Sequence, residues 1–405
     1  MRYFLIIGFF SLAVHTLSGQ QLQSYIEEAK ANNPEIQAIE LRHNAAEEKI
    51  NEVNTLPDTE FGAAYFVSEP ETRTGAQRAK FSVKQMLPWF GTITARENYA
   101  ASMAEAEYVE ITIAKRKLAR SVSEFYYLLY GIKAKQKVLE DNIQLLKTYE
   151  QLALTATEVG NASAVDVLRL QIRQNELQQQ KEALLQQAKG IQAALNSLMN
   201  HKYDRDISVV SNLEIPLEDP VHSYEVLSLN PELIKFDKLY ESVTQSEELN
   251  QKESAPSIGV GLDYIAIEER PEMNFSDNGK DIIMPMVSIS IPIFNKKYKS
   301  TTKQNDLKQQ EIQSQKKDRL NTLKSQFSRA ISQRNQARIK FNIQEKNLKQ
   351  AENAEEILTK NYETGTINFN DVLDVQELQL KFGINQIEAI QEYYTQSATI
   401  NYLTN

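Results

Sequence analysis

The sequence repeats itself once, and this repetition constrains the fold more than any other feature. Three short motifs occur twice, in the same order. They are Asn-Pro-Glu at 33–35 and 230–232, an apolar segment with a central proline at 87–90 and 291–294, and a glycine followed by Asp-Val-Leu at 160–168 and 365–373. The two copies of a motif lie about 197 to about 205 residues apart, so the spacing is nearly kept. Such self-similarity indicates that one structural unit was duplicated.

Each half contains one very long amphipathic segment. Its apolar residues recur in alternating steps of four and three, which is typical of coiled-coil packing. The first stripe consists of Leu118, Val122, Phe125, Leu129, Ile132, Gln136, Leu139, Ile143 and Leu146, and the second of Leu320, Leu323, Phe327, Ala330, Ala337, Phe341, Leu348, Ala351 and Leu358. Helices over about 91–158 and about 296–362 would each be roughly 100 Å long at 1.5 Å per residue.

Shorter helical segments surround each long one. Those before the strands cover about 22–53 and 221–252, and those that return from the turns cover about 165–200 and 371–403. Each would be roughly 50 Å long. A long helix therefore matches two short ones placed end to end, and the pattern predicts two antiparallel helical hairpins, each preceded by a further helix.

Four segments have the alternation or the β-rich composition of strands, at about 59–68, 78–88, 256–267 and 282–293. Each has about 10 residues, the length of a tilted strand that crosses a membrane. Open strand edges are not tolerated in lipid, so four strands in a membrane would have to be shared among several chains. Three chains supply about twelve strands. A soluble four-stranded sheet that caps a coiled coil is the alternative.

The composition excludes several classes of function. The chain has 405 residues and a net charge of -9, so it lacks the basic surface that a nucleic-acid partner requires. It has no cysteine, which excludes disulfides, thiol chemistry and a lipidated cysteine. No HExxH, GxSxG or Walker motif is present, and the few histidines lack metal-ligand spacing. We therefore expect no enzyme activity, no metal and no cofactor.

Residues 1–19 have the features of a secretory leader. A positive residue at Arg2 is followed by an apolar run from Tyr3 to Leu17 and by small residues. The run is too short for a spanning helix. The sequence thus predicts an exported protein that is cleaved between Ser18 and Gln20.

Two local motifs connect the sequence with a known family. The second hairpin turn, from Tyr362 to Thr366 and on into the Asp-Val-Leu-Asp segment at 371–374, resembles the periplasmic-tip motif of the TolC-like outer-membrane efflux factor family. The segment 83–91, with Pro-Trp-Phe-Gly at its end, is similar to the strand-to-helix junction in the branch that serves metal and drug pumps of the RND type. The resemblance covers essentially the whole mature chain.

The resemblance implies a mostly α-helical α+β membrane protein with an internal duplication. Its long antiparallel hairpins would form a periplasmic α-barrel, and its four strands per chain would contribute to a trimeric 12-stranded outer-membrane β-barrel. The first repeat would occupy 20–200, an equatorial linker 201–221 and the second repeat 222–405. A homotrimer in outer-membrane lipid would serve as the passive channel of a tripartite efflux or type I secretion system, docked to a periplasmic adaptor and an inner-membrane pump.

The same resemblance assigns roles to individual residues. Periplasmic-tip and adaptor-docking roles fall on Gly160, Tyr362, Gly365 and Thr366, and entrance-gate roles on Asp166, Asp371 and Asp374. Independently of the resemblance, Trp89, Phe90 and Phe294 lie where the strands would leave the membrane, so they form either an aromatic belt at the membrane interface or ordinary packing at the strand–helix junctions. Asp166 and Asp371 also have the spacing from Ser163 and Asn368 that is expected of a helix-capping arrangement. Some relatives carry an arginine where this chain has Ile367, so its entrance would close by packing rather than by an ion pair.

Two other functions are compatible with long exported hairpins. One is a coiled-coil structural or adhesion protein, which would tolerate charges where a channel needs a lipid-facing apolar band. The other is a periplasmic adaptor, although the duplicated hairpins and the lack of a further β-rich region count against it. The substrate is not indicated, because such a channel takes its specificity largely from its pump.

Overall fold

The structure is a computed structural model that describes residues 20–158, 163–272, 274–294, 296–364, 366–367 and 369–404. The predicted leader lies outside the described residues. The elements are α1 (20–32), α2 (Pro34–Val53), β1 (Thr59–Tyr65), β2 (Glu71–Thr72), β3 (Gly75–Leu87), α3 (Thr92–Glu158), α4 (Ala164–Leu198), the 3-10 helix η1 (Tyr224–Leu229), α5 (Pro231–Glu253), β4 (Ser257–Glu268), β5 (Ile282–Ser290), α6 (Lys296–Glu363) and α7 (Phe369–Thr404). Among the helices in the described ranges, none combines the length and the apolarity needed to cross a membrane.

The chain divides into two compact units. The first, which we call the hairpin unit, comprises the described residues within Met1–Ala38, Ile111–Asn230 and Leu320–Asn405. The second, the strand unit, comprises Ile39–Glu110 and Pro231–Arg319. Each unit draws on both sequence repeats, as expected if the two repeats pack against each other within a unit.

The strand unit contains one antiparallel sheet in the order β1-β3-β4-β5, and the short β2 pairs with the start of β3. Phe61 lies opposite Val83, Phe81 opposite Tyr264, and Val260 opposite Val287. Because β2 pairs at Gly75, β3 begins earlier than the sequence pattern predicts. β1 and β5 end earlier than predicted, at Tyr65 and Ser290.

The two faces of this sheet differ in chemistry. One face is apolar and solvent-exposed in the single chain: Phe61 is 82%, Val287 76% and Ile283 66% exposed. The other face carries Lys80, Ser82, Lys84, Asp263, Gly259 and Gly261. On this polar face the Lys80 ammonium lies 2.6 Å from the buried Asp263 carboxylate. The alternation predicted from the sequence thus separates an apolar surface from a polar one.

The hairpin unit is built around two apolar clusters of buried residues. One joins Leu118, Val122, Leu129 and Ile132 of α3 to Ile26, Ala29, Ile36, Ala188, Leu195, Met199 and Ile207. The other joins Leu139, Ile143, Leu146, Tyr149 and Ala153 of α3 to Val167, Leu170 and Leu177 of α4 and to Phe369, Val372 and Leu380 of α7. The stripe predicted on α3 therefore forms the core, except that Phe125 and Gln136 are only partly buried.

The linker is attached to α3 by polar contacts. The backbone N–H of Val210 donates to the Tyr126 hydroxyl and that of Leu213 to the Tyr130 hydroxyl, each at 3.2 Å. Lys133 donates to the Ile207 carbonyl at 2.7 Å. The tyrosine hydroxyls and the lysine thus supply partners for backbone groups that lie outside regular structure.

The repeated Asn-Pro-Glu motif has the same structural role in both halves. Asn33 donates its side-chain amide to the Leu198 carbonyl at the end of α4 (2.9 Å), and Asn230 donates to the Leu403 carbonyl at the end of α7 (3.0 Å). Both asparagines are buried. The helices predicted before the strands are interrupted here, since Pro34 and Pro231 cannot donate a backbone hydrogen bond and instead begin the next helix.

We expect Asn33→Ala and Asn230→Ala each to lower the free energy of unfolding by about 1–2 kcal/mol, because each leaves a helix-end carbonyl without its partner. Urea unfolding of the purified protein, followed by circular dichroism, measures the change. Asn44→Ala, on an exposed face of α2, is the matched control and should change stability by less than about 0.7 kcal/mol. Equal effects at all three positions would contradict the capping role.

Candidate functional site

The end of the second hairpin is the most elaborately bonded of the predicted site regions. After α6, the Thr366 backbone N–H and hydroxyl donate to the Asn361 carbonyl at 3.0 Å and 2.8 Å. The Tyr362 ring packs on Phe369 with centroids 4.9 Å apart, and Phe369 is buried. Tyr362 and Thr366 are therefore held in place by the turn itself. Gly160 and Gly365 lie outside the described residues.

Asp166 has the capping geometry expected from its spacing. Its carboxylate accepts from the Ser163 backbone N–H at 3.3 Å, and the Ser163 hydroxyl oxygen accepts from the Val165 N–H at 3.2 Å. These reciprocal bonds satisfy donors at the start of α4. For Asp371 the expected cap, Asn368, lies outside the described residues.

The structure brings Tyr362 and Asp166 near each other. Burial raises the pKa of the Tyr362 hydroxyl, and the negative charge of Asp166 raises it further. The hydroxyl oxygen is buried and makes no hydrogen bond to the described part of the chain. Ile367 packs against the neighbouring apolar cluster. The first and second hairpins therefore meet here through a tyrosine, a carboxylate and apolar contacts.

Asp371 and Asp374 are not part of that contact. Both are exposed on α7, one helical turn apart. Asp374 lines a cleft of about 140 Å³ together with Arg173, Glu377 and Leu177. The two carboxylates share a side of the helix that faces solvent in the single chain, so both are available to ions.

The three aromatic residues predicted at the membrane boundary follow the strands directly. The Trp89 and Phe90 rings pack edge to face with centroids 5.7 Å apart. Trp89 is 39%, Phe90 79% and Phe294 91% exposed. Aromatic side chains this exposed next to an apolar sheet face are typical of a membrane–water boundary.

Several polar residues that join the two hairpins were not predicted. Glu355 accepts hydrogen bonds from Tyr149 (2.7 Å), Gln376 (3.3 Å) and Gln379 (2.7 Å). Burial and then the bond to Glu355 raise the pKa of Tyr149. Tyr149 continues the apolar stripe three residues after Leu146, so its burial could be read from the sequence, but its partner on α6 could not.

A second unpredicted cluster lies at the end of the linker. Asp219 accepts from Arg338 at 2.7 Å and 3.1 Å and from the Tyr393 hydroxyl at 2.6 Å. The buried Arg334 lies 3.7 Å away. Burial raises the pKa of Asp219, but the bonds from Arg338 and Tyr393 outweigh it and hold the pKa below the ordinary 3.8. This carboxylate joins the linker to α6 and α7.

Duplicated long hairpins and a sheet with one apolar face together define a class of membrane export channel. A family model described as outer membrane efflux protein matches residues 25–201 and 223–405. The chain belongs to this family. It is an outer-membrane channel for efflux with its helical part in the periplasm, not an enzyme. Membership decides against the adhesion and adaptor alternatives.

Solved structures of similar fold include three outer-membrane proteins. The chain is similar to VceC from Vibrio cholerae with a TM-score of 0.75 and 17% identity, covering 95% of this chain and 96% of that one. It is similar to the Campylobacter jejuni CmeC channel with a TM-score of 0.72 and 13% identity, covering 95% of this chain and 85% of that one. It is also similar to the open state of the Neisseria gonorrhoeae MtrE channel with a TM-score of 0.73 and 16% identity, covering 95% of this chain and 88% of that one. No curated protein matches the sequence.

The Asp219 cluster predicts a pH dependence of linker order. Because the folded-state pKa of Asp219 is depressed, its stabilising contribution is complete above about pH 3.8 and is lost as the pH falls through the folded value. We expect hydrogen exchange of linker amides in Asp219→Asn to exceed that of the wild type at pH 5, and the difference to shrink below about pH 3.8. Asp204→Asn, at an exposed linker position, is the control and should show the hydrogen exchange of the wild type at every pH. A difference in exchange between Asp219→Asn and the wild type that does not change with pH would contradict the assignment.

Proposed function

We propose that three copies of this chain form a passive duct through the outer membrane. The observation that carries the proposal is the sheet: its apolar face is exposed, and within the described residues β1 and β5 each have a strand neighbour on one side only. Lipid excludes unpaired backbone groups, so the sheet has to close with other copies. Three copies supply about twelve strands, which is within the range of membrane cylinders.

In this assembly the apolar face contacts lipid and the polar face lines the passage. Lys80 and Lys84 are balanced there by Asp263 and by Glu60, which lies opposite Lys84. The charges of the polar face of each chain therefore cancel. Trp89, Phe90 and Phe294 mark the periplasmic boundary of the membrane. Strands and helices would follow the domain arrangement proposed from the sequence, with the linker at the equator of the helical tunnel.

The hairpin ends form the periplasmic entrance. Tyr362 and Asp166 contribute to its closed state together with the packing of Ile367, and Asp371 and Asp374 of three chains gather about six carboxylates around it. Such a ring favours cations and is selective by charge alone. Gly160, Gly365 and Thr366 belong to the turns that a periplasmic adaptor would contact.

The energy for export comes from an inner-membrane pump reached through that adaptor, because the duct has no chemistry of its own. Small molecules or ions are the substrate class, received from the pump or the periplasm. A type I secretion transporter would use the same duct geometry. Whether the duct serves efflux or secretion therefore depends on the inner-membrane partner.

The lipid-facing role predicts a large effect at one residue of β5 and little effect at its neighbour. Val287→Lys places a charge on the apolar face and should cost about 2–4 kcal/mol near the bilayer centre. Ser288→Lys places the same charge on the polar face, next to Gly259 in the register, and should have little effect. The yield of heat-resistant trimer in outer-membrane fractions measures both. Equal loss in the two variants would contradict the assignment of the faces.

The entrance role predicts a change in ion preference. Removing charge with Asp371→Asn and Asp374→Asn should reduce the preference for cations, because the carboxylate ring is lost. The reversal potential under a salt gradient should therefore shift toward zero. Bilayer recordings of the purified trimer measure it. Glu345→Gln, at an exposed position of α6, is the matched control and should leave the potential unchanged. An unchanged potential in the double variant would refute the gate assignment.

A further inference from the structure

The two hairpins of the hairpin unit correspond residue by residue. The second follows the first at a constant offset, which is that from Asp166 to Asp371. In each hairpin a glutamate of the long helix accepts hydrogen bonds from two glutamines of the returning helix. These are Glu150 with Gln171 and Gln174, and, at the same offset, Glu355 with Gln376 and Gln379. Each residue that makes a contact in one hairpin therefore has a counterpart in the other.

Within one chain, the second hairpin packs on the first through α7. The contacts extend along the helices, and they are Lys135 with Glu388 (2.9 Å), Tyr149 with Phe369 (ring centroids 5.7 Å apart) and Arg173 with Glu377 (3.5 Å). On the same side of α7, Leu380 is buried in the cluster that includes Leu146 and Leu177 of the first hairpin. One side of α7 is thus covered by α3 and α4.

The corresponding side of α4 is exposed in the single chain. Asn175, the counterpart of Leu380, is exposed, and so are the apolar residues Val165, Leu168 and Ile172. These three residues, which we call the α4 stripe, follow one another in steps of three and four, so they lie on one side of the helix. Apolar side chains that share one side of a helix are typical of a surface that packs against another element.

The partner of the α4 stripe follows from the ion pair between Arg173 and Glu377. The counterpart of Arg173 is Leu378, and the counterpart of Glu377 is Ile172. Both counterparts are apolar, and they are 43% and 59% exposed in the single chain. If either of them met the charged residue of the other pair, that charge would lose its partner. The joint change of both positions from charged to apolar therefore indicates that Leu378 and Ile172 contact each other.

The long helices support the same arrangement. Val138 of α3 faces α7, where its Cγ1 atom lies 3.8 Å from the place that a Cβ of Gly383 would take. Its counterpart on α6, Ile343, is exposed. Lys340, one turn away, donates to Glu388 of its own hairpin at 2.9 Å, so it brings no unpaired charge to this side of α6. The second hairpin thus presents an apolar residue where the first hairpin has one that is covered.

We propose that the α4 stripe of one copy packs on α6 and α7 of a second copy, with Ile172 against Leu378 of that copy. The first hairpin of the same chain already covers the other side of α7, so a second copy has to supply this contact. Such a contact is head-to-tail, and head-to-tail contacts repeat until a ring closes. First and second hairpins then alternate around the periplasmic tunnel.

The inference rests on the proposed trimeric duct and assigns the surface through which its helical parts join. Within a chain the ion pairs of Arg173 and Lys135 tie the second hairpin to the first. Between chains, the counterparts of the Arg173 pair make an apolar contact. Burial of these apolar residues stabilises the ring, because they are removed from water only when the copies assemble.

A photo-reactive probe at two adjacent residues of α4 tests this pairing. The amino acid p-benzoylphenylalanine is incorporated at Ile172 or, as the matched control, at Arg173, and the purified full-length trimer is irradiated. The probe at Ile172 should yield a covalent dimer on denaturing gels, and peptide mass spectrometry should locate the link on α7 beside Leu378. The probe at Arg173 should give a severalfold lower dimer yield and mainly monomers with an internal link beside Glu377, its partner within the chain.

The failure of this inference can be separated from the failure of the proposed function. Native mass spectrometry and bilayer recordings show for each variant whether the trimer forms and conducts. A conducting trimer whose Ile172 probe gives only internal links, or dimers linked outside α6 and α7, overturns this interface and leaves the duct intact. Equal dimer yields from the two probes would also overturn it. A chain that neither forms trimers nor conducts overturns the duct.

Discussion

The need to satisfy backbone hydrogen bonds at the edges of the sheet is the constraint on which the rest of this protein depends. In the described part of the chain, β1 and β5 each pair on one side only. An unsatisfied N–H or C=O in lipid costs several kcal/mol, so an open sheet cannot remain in a membrane alone. The exposed apolar face adds a second requirement, because contact between a large apolar surface and water is unfavourable. Closure by other copies, with lipid outside, meets both requirements.

The helical part is held together by a different balance of forces. Apolar side chains from α3, α4 and α7 form its core. Polar side chains cap the helix ends and form hydrogen bonds between neighbouring helices. Asn33 and Asn230 show that the duplication preserved a hydrogen-bonding role as well as a sequence pattern, since each ends the returning helix of its own repeat. Glu355 also keeps its role in the repeat, since Glu150 accepts hydrogen bonds from Gln171 and Gln174, and Glu355 accepts them from Gln376 and Gln379 at the equivalent positions of the second half. Asp219 lies in the linker between the repeats and joins it to α6 and α7.

The sequence predicted those features that depend on local periodicity. The stripe that includes Val122 and Leu129 is buried because steps of four and three keep side chains on one side of a helix. Alternation placed Phe61 and Val287 on one face because successive strand residues point to opposite sides. The capping role of Asp166 was likewise readable from its spacing to Ser163. The interruptions at Asn33 and Asn230 were missed, although the following prolines signalled them.

The sequence alone therefore determined the duplication, the element types, the apolar faces and the family, since all of these depend on residues close together or on a repeated order. Only the tertiary structure decided which polar groups meet: Tyr149 with Glu355, and Arg338 with Asp219. These partners are far apart in the chain, and many side chains could satisfy the same donor.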